Sequence, residues 1–270
     1  MDRRYDRPVT GAIDTHAHVQ FPQFDEDRGP MLEECWRAGI EAMIVVGTDI
    51  PSSHAAVELA TTDPRLFATA GVHPHDASDY DGQAEEALRT LAHERAIVAL
   101  GEMGLDFYRN LSPRAAQEEA LGRQLALAAE FELPVVIHTR EAVAEATILL
   151  REWTAGLPEA FTRPYGVMHC YSGTVEQAHE LVGLGFLVSI PATITYPRND
   201  VLRHVAAAVP AESLVLETDS PYLPPQSRRG QRNDPRHTLD AAATVAEVRG
   251  QPQDEIVRIT TSNARRLLRL

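Results

Sequence analysis

Ala12-Ile13-Asp14-Thr15-His16-Ala17-His18 sets a short apolar run against two histidines spaced i and i+2. On an extended backbone that spacing points both imidazoles to one side, where they can reach one cation from the end of a strand. On a helix the same spacing splays them apart. Seven further apolar or β-branched runs follow, at 42–47, 67–71, 97–101, 134–137, 166–168, 186–190 and 214–216, after a first strand at 12–14. Amphipathic segments separate them, at 30–38, 52–61, 84–94, 114–131, 142–153, 175–184 and 200–209. Ser112-Pro113 reads as a cap followed by a first-turn proline. An Arg- and Pro-rich loop at 224–235 leads to two terminal helices, 237–248 and 253–268.

Strands that alternate strictly with helices argue for a parallel sheet, and continuously apolar strands suit a sheet covered on both faces. Eight such units in 270 residues point to one α/β domain over 1–270, a closed (β/α)₈ TIM barrel. An open doubly wound sheet is disfavoured because no Gly-x-Gly-x-x-Gly follows a strand. Cys35 and Cys170 are too few for a disulfide framework. The N-terminus has no apolar leader and no run reaches membrane-spanning length, so the expected location is cytoplasmic, with no membrane association. No feature calls for an obligate protein partner. The net charge of −14 gives no global attraction for nucleic acid, so any phosphate site has to be local. All 25 basic residues are arginine. A carbamylated lysine therefore cannot bridge two metals here, and a carboxylate has to do so if two are bound.

The chemistry lies at the strand ends. Besides His16 and His18 these carry Gly71-Val72-His73-Pro74-His75, Gly101-Glu102-Met103-Gly104-Leu105-Asp106, His138-Thr139-Arg140, His169-Cys170-Tyr171-Ser172-Gly173 and Glu217-Thr218-Asp219-Ser220-Pro221-Tyr222. In a barrel all of these meet at the C-terminal face, where barrel enzymes hold their active sites. Burying that many imidazoles and carboxylates together without a cation is costly. Asp14 reads as a residue that orients an imidazole. His75 is equally readable as the polar end of a turn, Asp106 and Arg140 as partners of neighbouring charges, and Tyr171 and Tyr222 as pocket walls. Cys170 reads as a small buried apolar residue.

In order and spacing these motifs resemble the TatD family of metal-dependent hydrolases, over essentially the whole chain. The resemblance implies an amidohydrolase-type barrel with two divalent ions and deoxyribonuclease activity. It makes His16 and His18 ligands of one metal, Glu102 the bridge, and His138 and His169 ligands of the second. Asp219 completes the first and orients or deprotonates the attacking water, while Glu217 and His73 become helpers beside it. Mixed imidazole and carboxylate ligands suit Zn, Mn or Mg. Arg140 and the Arg228-Arg229…Arg232 group are the candidates for phosphate oxygens, the latter readable also as a solvated loop, and His75 and Tyr171 are further candidate substrate contacts. Two departures concern substrate contacts: Gly230-Gln231-Arg232-Asn233 stands where the family usually has a lysine, and Pro191-Ala192 where Ser/Gly-rich sequence is more familiar. The expected reaction is phosphodiester hydrolysis, exonuclease-like, with DNA as substrate. Two readings remain beside it: metal-dependent hydrolysis of a small amide, ester or lactone or of aminoacyl-tRNA, and a non-catalytic metal-binding scaffold.

Overall fold

A computed structural model describes residues 11–270; the 1–10 segment, read above for a leader, lies outside the described residues. Eight parallel strands follow one another in sheet order: β1 (Ala12–Ala17), β2 (Ile40–Val46), β3 (Leu66–Ala70), β4 (Ile97–Asp106), β5 (Val135–Arg140), β6 (Gly166–Met168), β7 (Phe186–Pro191) and β8 (Leu214–Glu217). Helices α1 (Arg28–Ala38), α2 (Ile50–Ala60), α3 (Gly82–Leu91), α4 (Arg114–Glu130), α5 (Val143–Ala155), α6 (Val175–Leu184) and α7 (Asp200–Ala208) join them, and α8 (Thr238–Arg249) and α9 (Gln253–Leu268) follow β8. Ala17 pairs in parallel with Ser220, which brings the first strand against the last and makes the sheet a (β/α)₈ barrel. No helix among the described residues is long and apolar enough to cross a membrane.

The period-2 alternation of the strands divides the core in two. Ile13, Ala42, Ile44, Val46, Ala99 and Val136 belong to a cluster built from strand residues and the end of α9, which is the barrel interior. Met43, Val45, Ala68, Leu100 and Ile137 belong to the larger cluster that includes the helices. Asn263 on α9 donates to the carbonyls of Ala211 and Leu214, and Thr261 to that of Gly11, so α9 covers the end where β1 and β8 begin. That leaves the opposite end, where the strands finish, for chemistry.

Two strands run further than their apolar residues indicate. β1 continues through His16 to Ala17, and β4 through Glu102 to Asp106, the latter paired with β5 from Met103 against Ile137 to Asp106 against Arg140. Polar side chains do not end a strand while its backbone keeps a pairing partner. One cap is corrected. Ser112 does not cap α4, whose N-cap is Pro113; its hydroxyl instead donates to His75 O (2.8 Å) and accepts from Ser78 N–H (3.1 Å), tying the loop after β3 to the loop after β4.

Candidate metal centre

β1 ends with the Nε2 atoms of His16 and His18 at 3.2 Å from each other. His18 Nδ1 lies 2.9 Å from Val46 O, which can only accept, so Nδ1 carries a proton and Nε2 is the nitrogen turned into the cluster. Asp219 is brought to this pair by the backbone, its N–H donating to His16 O at 2.9 Å while His18 N–H donates to Ser220 O at 2.7 Å. Its φ of +58° is a conformation that a short polar side chain tolerates. Asp219 Oδ1 then stands 3.4 Å from His18 Nε2 and 3.9 Å from His16 Nε2.

Glu102 rises from β4 between two groups of imidazoles, and its oxygens face different ones. Oε2 is 3.3 Å from His16 Nε2 and 3.9 Å from His18 Nε2. Oε1 is 2.9 Å from His138 Nδ1, 3.4 Å from His73 Nε2 and 3.7 Å from His169 Nε2. Such crowding needs β4 and β5 to approach closely. Gly104, at φ +151°, has no room for a side chain, since a Cβ there would stand 1.9 Å from His138 O.

The sequence also called for helpers around this cluster, and the hydrogen bonds reassign several. Glu217 is buried and does not face the mouth: one oxygen accepts from Cys170 N–H (2.7 Å), the other from Ser189 Oγ (2.6 Å), and the carboxylate sits 3.0 Å from His169 Nδ1. It positions His169, holding Nδ1 as a donor and turning Nε2 toward Glu102. Asp14 orients backbone rather than an imidazole, accepting from the N–H groups of His16 (3.1 Å) and Thr218 (3.0 Å) and from Thr218 Oγ1 (2.6 Å). His73 Nδ1 accepts from His75 N–H, which leaves Nε2 protonated and aimed at Glu102. His75 Nε2 is engaged with Asp106 Oδ2 at 2.7 Å, and Tyr171 is buried with its hydroxyl donating to Thr174 O, so these two polar atoms are bound within the protein. Arg140 stacks on Tyr108 (3.9 Å to the ring) and Arg229 on Tyr196 (4.9 Å), each without a carboxylate partner among the described residues. Arg232, by contrast, is tied to both oxygens of Asp27.

Three positions carry weight that the motifs did not signal. Ser189, at the end of the one strand other than β2 that bears no imidazole or acid motif, donates to Glu217. On α4, Gln124 exchanges two hydrogen bonds with the backbone of Val72, and Gln117 binds the backbone of Asp106 and Ser112. The available signal was a pair of glutamines seven residues apart on the buried face of that helix.

Charge in the cluster is arranged by mutual contact. Burial opposes ionisation of Glu102, but His73, His169, His16 and His138 around it hold its carboxyl well below the usual carboxylate range. Burial lowers His169, and Glu217 and Glu102 outweigh it, carrying the imidazole up to about 10. His18 is raised despite burial by Asp219 and Glu102, and His138 by Asp106 and Glu102. His16 and His73, where burial prevails, are lowered. Protons on imidazoles thus balance the buried carboxylates. Burial and the nearby carboxylates push the Cys170 thiol up, so it offers no thiolate.

The donor set fits a divalent cation. His16, His18 and Glu102 present ligand atoms within 4.8 Å of one another, as do His16, His169 and Asp219, and His73, Glu102 and His138. The nitrogens turned toward Glu102, His16 Nε2, His18 Nε2, His138 Nδ1 and His169 Nε2, become lone-pair donors once their imidazoles give up a proton, as a divalent cation requires. A parallel barrel that gathers imidazoles and carboxylates in this way at the C-terminal ends of its strands is a metal-dependent hydrolase by class. The family model described as TatD related DNase matches residues 13–269, and the chain belongs to that family. The metal-dependent hydrolase YabD of Bacillus subtilis is 35% identical over 258 residues, covering 96% of this chain and 99% of its own. The 3′-5′ ssDNA/RNA exonuclease TatD of a Rahnella species is 39% identical over 254 residues, 92% of this chain and 94% of its own. Among solved structures, the TatD homologue YjjV of Escherichia coli superposes with a TM-score of 0.90 at 32% identity, over 97% of this chain and 99% of that one.

Asp14 yields a prediction separate from turnover. Burial, opposed by its hydrogen bonds from Thr218 and His16, raises its carboxyl to about 8 from an ordinary value of 3.8. The folded protein therefore holds this proton more tightly than the unfolded chain, and stability falls as pH rises from about 4 to about 8. Asp14→Asn keeps an acceptor for both N–H groups and removes the titration. Chemical denaturation of metal-free protein across that range is expected to show a flatter stability profile for the variant. Parallel profiles would contradict it.

Proposed function

We propose that the chain is a two-metal phosphodiesterase that removes nucleotides from an end of single-stranded DNA. The observation that carries this reading is the division of Glu102, one oxygen toward His16 and His18 and the other toward His138 and His169. His16, His18 and Asp219 would hold one ion, His138 and His169 the other, with Glu102 shared. Zn, Mn and Mg all suit these ligands. Divalent ions bound there supply Lewis acidity, which brings the pKa of water down from ~15.7 toward neutrality and draws charge from phosphoryl oxygens.

The chain's own groups provide the rest. Asp219 is the most exposed carboxylate of the cluster, its side chain 15% accessible against 5% for Glu102 and 1% for Glu217. It is the one placed to accept a proton from water at the mouth, within reach of His18, which can share it. His73 steadies Glu102 by donating to Oε1, and Glu217 steadies His169. Arg140 and Arg229, without a carboxylate partner among the described residues, suit phosphate oxygens. Relatives named as single-strand DNA and RNA exonucleases support the choice of polymer and leave RNA as a second substrate to assay.

The test is cleavage of end-labelled single-stranded DNA by protein stripped with EDTA and then given Mg²⁺, Mn²⁺ or Zn²⁺. Stripped protein is expected to be inert, and restored protein to shorten the strand progressively from one end. Full activity after stripping would refute the metal mechanism. Cleavage of a neutral ester with none of DNA would move the reaction to a small-molecule bond.

A further inference from the structure

The loops that follow β7 and β8 enclose a second feature beside the metal centre. Tyr196, Pro197, Arg198, Asn199, Gln226 and Arg229 line a cavity of about 590 Å³. That volume lies within the range of about 300–1,000 Å³ typical of small-molecule sites. The two loops are bonded to each other: Tyr196 Oη donates to Pro224 O (2.8 Å), and Gln226 N–H donates to Thr195 Oγ1 (2.8 Å). Arg203 further pins the first loop by donating to the carbonyls of Ile194 and Tyr196. The aromatic ring is therefore held in place before any ligand arrives.

The cavity carries cationic groups in a molecule of net charge −14. Many arginines of the surface are paired with carboxylates, among them Arg65, Arg89, Arg123, Arg151, Arg203 and Arg236. Arg198 and Arg229 have no carboxylate partner among the described residues; Arg229 lies over the Tyr196 ring instead. An immobilised aromatic, a guanidinium stacked on it and a second free guanidinium in one cavity are the elements that bind unstacked bases and their phosphates. Asp219 belongs to the same stretch after β8 as Gln226 and Arg229, so the cavity lies at the end of the barrel that holds the metal centre.

We propose that this cavity is a nucleotide subsite: one base of a single strand packs against the Tyr196–Arg229 pair, and an adjoining phosphate pairs with Arg198. The proposal rests on the nuclease reading and adds to it a reason for single-strand selectivity, because a base in a duplex cannot enter the cavity. It also explains how an acidic protein with no lysine holds a polyanion, through a few arginines kept free at the mouth.

The experiment compares kcat/KM for a hexanucleotide, dT6, with that for the dinucleotide dTpdT, in the metal-loaded full chain. The ratio divides out any loss of active protein. Wild type is expected to favour the longer strand. Arg198→Ala/Arg229→Ala is expected to cut that advantage about tenfold, the equivalent of ~1.4 kcal/mol. Loss of the phosphate contact at Arg198 also makes the slope of log kcat/KM against log salt shallower by about 0.7. Arg37→Ala/Arg258→Ala, which removes the same charge from exposed positions on α1 and α9, is expected to keep the wild-type ratio. An unchanged ratio in the first variant, or an equal fall in the second, would overturn the subsite. DNA cleavage by wild type with no preference for length would overturn the subsite alone, whereas no cleavage of any strand would remove the nuclease reading and the subsite with it.

Discussion

Glu102→Gln is expected to lower kcat by at least about a thousandfold, ~4 kcal/mol of transition-state stabilisation. The amide matches the carboxylate in size, so the close passage of β4 by β5 at Gly104 is undisturbed. What changes is charge and acceptor capacity. Glu102 is the one buried carboxylate that reaches His16, His18, His73, His138 and His169 together. An amide offers oxygen to one imidazole group and an NH₂ to the other, and so cannot serve a cation on both sides. Steady-state kinetics with elemental analysis of the purified variant check this. Near-normal turnover with a full metal complement would show that Glu102 is structural.

Asp219→Asn separates chemistry from assembly. Loss of a group that takes a proton in the transition state removes about 10²–10⁴-fold in rate. Asparagine tolerates the same left-handed backbone as aspartate, and the docking of the loop depends on main-chain bonds to His16 and Ser220 and on Asn233, none of which uses the Asp219 side chain. The variant is expected to fold, keep the ion beside His138 and His169, hold the one at His16 and His18 more weakly, and lose at least about a hundredfold in kcat at saturating metal. Such a result excludes a non-catalytic scaffold. Retained turnover would move the proton acceptor elsewhere.

The barrel could be read from the chain because its strands are nearly uninterrupted apolar runs, and because α6 and α9 begin and end where periodicity and polarity change. β1 and β4 run longer than their apolar residues suggest, since pairing resumes beyond the irregular stretches 15–16 and 101–102, at Ala17 and from Met103 to Asp106. The meeting of His16, His18, Glu102, His138, His169 and Asp219 also follows from strand ends alone, because a barrel sends all of those ends to one face. The part each side chain plays there does not. Glu217 faces inward to His169 and Ser189, 48 and 28 residues away, and Asp14 holds Thr218, 204 residues away. Sequence spacing carries no information about contacts made across the barrel. His75 reads as a candidate substrate contact for the same reason, since Asp106 lies 31 residues away. Tyr171 reads so because the turn that returns its hydroxyl to Thr174 O, three residues on, has no signature in residue type.

The claim that organises all of this is a metal pair divided by Glu102. Protein reconstituted with Mn²⁺ and crystallised, with anomalous scattering recorded at the manganese edge, tests it directly. The account predicts two peaks per chain, one among His16, His18 and Asp219 and one beside His138 and His169, each next to a different oxygen of Glu102. Peaks elsewhere on the molecule, or none at Glu102, would contradict it.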